Sequence, residues 1–157
     1  MKYALIAIAS FSLMPIAGAA EVTISYSDDF AAELEDNYGE REGDILSREI
    51  AKDLTQAFDK AGVDPARVQV TILDAKPNRP TIEQMRQKPG LDGFRSISIG
   101  GMELQAIAYD EAGNELASHE YGWFENNLRD VVGHSVWGDA RRASDRFSRK
   151  FADKLSG

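Results

Sequence analysis

The sequence predicts an α+β domain: one mostly antiparallel sheet of four to five strands, with two long helices packed on one face. Three observations predict it. Val68, Val70 and Ile72 alternate with Gln69, Thr71 and Leu73, the period of a strand with one buried face. Two stretches carry a single apolar stripe at helical spacing. One holds Leu46, Ile50, Leu54, Ala57, Phe58 and Ala61, the other Val136, Ala140, Ala143, Phe147, Phe151 and Leu155. A helix with one stripe buries one side, so both should lie on the same face of one sheet. Finally, Asp110-Glu111-Ala112-Gly113-Asn114 is a hairpin loop between two strand-like runs.

Before the domain comes a leader. Lys2 is followed by the apolar run Ala4 to Ile16 and by the small residues Ala17-Gly18-Ala19-Ala20. The run is short for a membrane span, and Pro15 interrupts it. It has the form of a cleavable signal peptide over residues 1–20, cut after Ala19 or Ala20. No cysteine follows it to accept a lipid, so the leader predicts a periplasmic or secreted protein with no stable membrane anchor. Residues 21–157 then form a single domain, long enough to bury a core without disulfides.

Val22, Ile24 and Tyr26 mark a short first strand near an edge. Phe30, Leu34 and Tyr38 sit four apart and suggest a helical turn or two. Asp44 is placed to cap the first long helix, and Gly62 to end it in a left-handed residue. The Val68 strand follows and runs into Pro77-Asn78-Arg79-Pro80. Each proline fixes its own φ and restricts the residue before it, so Asn78 and Arg79 are expected to be held out at a sheet end. Thr81 with Gln84 forms a capping box for a short helix that Pro89-Gly90 ends. Arg95 to Tyr109 reads as strand, with Gly100-Gly101 either a hairpin turn or a bulge. Glu115 to Trp123 is another strand. Leu128, Val131 and Val132 suggest a turn of helix, and Ser135 is the expected cap of the last helix. The order is β-α-β-(short α)-β-β-β-α.

The net charge of −8 is unevenly spread. Glu21 to Asp64 holds thirteen acidic and four basic residues, while Val136 to Gly157 holds six basic and three acidic. So acidic a chain is a poor partner for nucleic acid. The asymmetry is accounted for most simply by two helices of one fold attracting each other. The absence of cysteine excludes disulfides and thiol chemistry.

Motifs that would carry catalysis are missing. There is no nucleophile elbow, no phosphate-cradling glycine loop and no histidine ligand pair. His119 and His134 are more simply an exposed strand residue and a loop residue. Asp28-Asp29 and Asp110-Glu111 are adjacent acids whose side chains diverge, which suits turns better than catalysis. No catalytic residue, cofactor or metal site is assigned. An enzymatic alternative, a hydrolase or metal-dependent enzyme, would need Asp74, His119 and His134 to converge in space. Tyr121, Trp123, Phe124 and Trp137 either close the end of a core or line a partner surface.

Several pieces together resemble a family of small exported proteobacterial proteins, a domain of unknown function. They are Tyr38-Gly39-Glu40-Arg41-Glu42-Gly43, Asp74 to Thr81 (DAKPNRPT), Ser96 to Gly101 (SISIGG), Tyr109-Asp110 with Gly113, and Trp137 with Asp139-Ala140-Arg141. The layout is also loosely similar to small α/β domains of envelope lipoproteins and of the amino-terminal part of the Tol-system propeller protein. The resemblance implies an exported address and no mechanism. The expectation is a non-enzymatic protein that binds another cell-envelope component through Asn78, Arg79, Trp123 and Trp137.

Overall fold

Strand β2 (Arg67–Lys76) has sheet neighbours on both sides and, as its alternation predicts, one buried face. Val68, Val70 and Ile72 are buried, while Arg67 before them and Gln69 between them are exposed. On one side β2 pairs antiparallel with β3 (Gly101–Tyr109), which pairs antiparallel with β4 (Glu115–Phe124). On the other side it pairs in parallel with β1 (Glu21–Tyr26). The sheet therefore runs β1-β2-β3-β4 and is mixed, which corrects the expected, mostly antiparallel arrangement. The reason lies between β1 and β2: a long helical crossover returns the chain in its starting direction, where a hairpin would reverse it.

The computed structural model describes residues 19–131 and 135–157. Of the expected leader, residues 1–18 lie outside them. The described residues form four α-helices: α1 (Asp28–Glu33), α2 (Glu40–Ala61), α3 (Ile82–Gln87) and α4 (Gly138–Ser156). A π-helical turn over Leu34–Tyr38 continues α1, and a 3-10 turn occupies Leu128–Asp130. None of these helices is long and apolar enough to cross a membrane. Helix α2 starts four residues before the expected Asp44, and it ends at Gly62 in the left-handed region (φ +68°) as expected. The capping box of Thr81 and Gln84 is formed at α3.

Helices α2 and α4 pack side by side, and α4 lies across β3 and β4. Their stripes meet in one core, with the Phe58 and Phe151 rings 6.0 Å apart. Small residues on α4, including Ala140, Ala143 and Ala152, face the same core as Ala106 and Ala108 of β3, which lets helix and sheet approach closely. Phe147 and Phe151 are buried as the stripe predicts, but nearer β4 than β2. Their rings stack on His119 at 5.5 and 6.2 Å. The charge asymmetry is used between the two helices: Arg141 pairs with Glu49 at 3.6 Å, and Ser144 donates to Asp53 at 2.7 Å.

The stretch Arg95 to Gly100 does not join the sheet, although Ile97 and Ile99 alternate like strand residues. In its middle, Ser98 bonds to the proline loop instead. Ser98 N–H donates to the Asn78 carbonyl at 2.9 Å, and the Ser98 hydroxyl to the Pro77 carbonyl at 2.6 Å. Pro77 and Pro80 supply no N–H, so the β2–β3 ladder cannot continue past Lys76. Gly100-Gly101 is thus neither a hairpin turn nor a bulge but the entry to β3. A Cβ on Gly101 would sit 2.3 Å from the Trp123 carbonyl oxygen, and one on Gly100 2.7 Å from that of Lys76. Only glycine lets these backbones approach so closely.

Candidate functional site

The proline loop is tied in by hydrogen bonds and is not held out. Asn78 is 1% exposed and Arg79 7%. The expectation that both stand free at a sheet end is corrected by the start of α4. That helix has Trp137 at its cap position and no capping side chain of its own, so Ser135 does not cap it. Asn78 does this work from across the chain. Its Oδ1 accepts from the Asp139 N–H at 2.7 Å, and its Nδ2 donates to the Asp139 carboxylate and to the Ser98 carbonyl. The same carboxylate oxygen takes the Gly100 N–H at 3.3 Å. The other oxygen faces the Arg142 guanidinium at 3.6 Å, an ion-pair distance too long for a hydrogen bond. An amide side chain suits this place because it donates and accepts at once. Asn78 therefore joins the end of β2, the entry to β3 and the start of α4, with no surface to offer a partner.

Beside this node lies a cleft of about 440 Å3. Pro80, Ile82, Met85, Val136 and Trp137 supply its apolar lining, and Arg41, Arg79 and Arg141 line it together with Glu42. Trp137 is buried in the wall. Its indole N–H donates to Glu42 at 2.7 Å, and Tyr38 meets its ring edge-on at 5.7 Å. Burial, then the charges of Glu33 and Asp74, push the Tyr38 hydroxyl up to about 12, so this ring stays neutral.

Phe94 overlooks the cleft from the loop between α3 and β3. Its side chain is 90% exposed, yet its backbone is fixed from several sides. The Asp92 carboxylate accepts the N–H groups of Phe94 and Arg95 at 2.7 and 2.9 Å, and these bonds hold its pKa below the usual carboxylate range. The Arg79 guanidinium donates to the Phe94 carbonyl. Ser96 closes the turn: its N–H donates to the Asp92 carbonyl at 2.9 Å, and its hydroxyl oxygen accepts the Asp92 N–H at 3.0 Å. An aromatic residue is thus displayed by an ordered turn. Ile82, which lines the same cleft, is also exposed. Apolar surface interleaved with arginine is the composition of recognition surfaces.

Of the residues expected to bind a partner, Arg79 and Trp137 line this cleft and Asn78 fastens the structure behind it. Trp123 does not belong to it. That ring lies on the helix-covered side of β4 under Arg146, whose guanidinium carbon is 4.4 Å from its centroid. Tyr121 shares that side, under Lys150, while Phe124 lies under Lys76. The four aromatic residues do not form one pocket.

The enzymatic alternative meets a geometric obstacle. Asp74 pairs with Glu103 after a bulge in β2 and lines a groove on the open face of the sheet. His119 pairs with Ala106 and stacks on Phe147, on the helix-covered face. The sheet separates the two, so they cannot serve one site. His134 lies outside the described residues. Among the described residues no group of three or more His, Asp or Glu is placed to hold a metal ion.

The sequence reading missed Phe94, Ile82, Arg41 and Arg141. A signal for the first was present. Pro89-Gly90 and Asp92-Gly93 are turn pairs in close succession, which argues for a structured loop before Phe94.

No protein-family model matches the chain, and no curated protein matches it. Among solved structures, it is similar to a minor lipoprotein from Acinetobacter baumannii, with 12% identity over 85% of this chain and 91% of that one and a TM-score of 0.35.

Proposed function

We propose that this is an exported, non-enzymatic binding protein that recognises another component of the cell envelope through the cleft beneath Phe94. The observation that carries the reading is the pairing of an ordered, 90% exposed Phe94 with a cleft of about 440 Å3 that holds three arginines. A fold gains nothing by fixing a phenylalanine in water, whereas a partner that covers it gains its apolar area. Arg41, exposed and lining the cleft, adds directional recognition of carboxylate or phosphate groups. The leader supplies the address, and the absence of cysteine after it supports a soluble exported form.

The test is affinity capture from a cell-envelope fraction with the wild-type protein and with Phe94→Ser. Phe94 is exposed, so the variant should melt as the wild type does. The expected result is a partner recovered by the wild type and lost with the variant. Equal recovery by both proteins would remove the cleft from the reading.

A further inference from the structure

Strand β4 is the last strand of the sheet, and its far edge has no partner strand among the described residues. The backbone groups on that edge can be identified. Glu125 N–H donates to the Gly100 carbonyl, towards β3. Backbone groups alternate sides along a strand. Those of Ser118, Glu120, Gly122 and Phe124 therefore point away from β3. The Ser118 carbonyl agrees, since it takes a hydrogen bond from the Lys154 ammonium at 2.6 Å.

Helix α4, which packs on β3 and β4, carries cations at every fourth position along its β4 side: Arg146, Lys150 and Lys154. They track β4 backwards. Arg146 lies 4.4 Å from the Trp123 ring centroid, Lys150 5.2 Å from that of Tyr121, and Lys154 reaches Ser118. The spacings explain the match. Four residues of helix rise about 6 Å, and two residues of strand about 6.8 Å. The cations thus stay in step with every second residue of a strand lying beside β4. None of the three takes part in an ion pair among the described residues.

We propose that the free edge of β4 is a docking site for an extended acidic segment of a partner protein, which adds as a fifth strand and sets alternate carboxylates against Arg146, Lys150 and Lys154. A second copy of this chain fits poorly. Pairing β4 with β4 about a two-fold axis would bring two cation rows together. Pairing β4 with β1 would offer the row only Val22, Ile24 and Tyr26, which carry no charge. Lysine at a sheet edge is also a known guard against indiscriminate pairing. Here one row serves both ends, repelling identical or uncharged strands and admitting an acidic one. This surface is separate from the cleft, and the inference stands whatever occupies the cleft.

The test titrates the protein with a synthetic peptide as long as β4 that alternates threonine with glutamate, while backbone amide exchange is followed. Binding should weaken as salt is added and should slow exchange at Glu120 and Gly122. N-methylation of the peptide's bonding amides should weaken it about tenfold or more. Lys150→Glu, at an exposed helix position, should do the same. No binding of the glutamate peptide would overturn the proposal. Equal binding of the N-methylated peptide would also overturn it, since attraction would then need no strand pairing.

Discussion

Asn78 illustrates how one side chain can replace a capping motif. Its amide closes the first turn of α4 and holds a buried carboxylate at the same time. Asn78→Ala should therefore lower stability by about 2–3 kcal/mol, the scale of a hydrogen bond to a charged group plus a partner left unsatisfied. Urea unfolding checks this, and an unchanged midpoint would show that the node contributes little. His119 provides a second measurement. Burial against Phe147 and Phe151, then Lys154 and Lys150, hold its pKa below the ordinary 6.5. The unfolded chain takes up this proton first, so the stability His119 contributes is present above about pH 6.5 and lost as pH falls through the folded value. His119→Phe keeps a ring in the stack and removes the proton site. From pH 7 to pH 5 the wild type should lose melting temperature relative to this variant. A constant difference across that range would refute the account. Neither role was legible from local sequence. A buried cap at position 78 and an exposed one look alike until α4 arrives against it.

At the scale of elements, local pattern was a good guide where an element makes its own hydrogen bonds. The stripes of α2 and α4 persist over several turns, and the Asp110 to Asn114 loop forms as its residues dictate. Phe147 is the test of that stripe. It is fully buried, and Phe147→Ala should cost about 3–5 kcal/mol. A loss below about 1 kcal/mol in chemical denaturation would mean that α4 does not seal the core. Pattern failed where an element depends on a distant partner. Ile97 and Ile99 alternate like strand residues, but the prolines opposite them end the ladder. The parallel pairing of β1 with β2 left no local mark either, because a strand carries the same alternation whichever way its neighbour runs. The cleft was partly legible: Arg79 and Trp137 were singled out, whereas Arg41 and Arg141 looked like ordinary helix-surface charges.

For the whole molecule, the decisive contacts are long in sequence. β1 waits for β2, and the core side of β3 and β4 stays uncovered until α4 docks. A chain ending at Ser135 should lack a cooperative thermal transition and show poor dispersion in its amide spectrum. A sharp melt from that fragment would show that the sheet and α2 fold without their partner. The bond between Asn78 and Asp139, 61 residues apart, has a consequence in time. During synthesis the first three strands can be complete while the piece that locks them together has not yet been made. Stability therefore arrives late, with the final helix, and not in instalments. Under the export proposed above, such a delay is useful: the stretch already made has nothing stable to unravel before it is threaded through a narrow translocation channel.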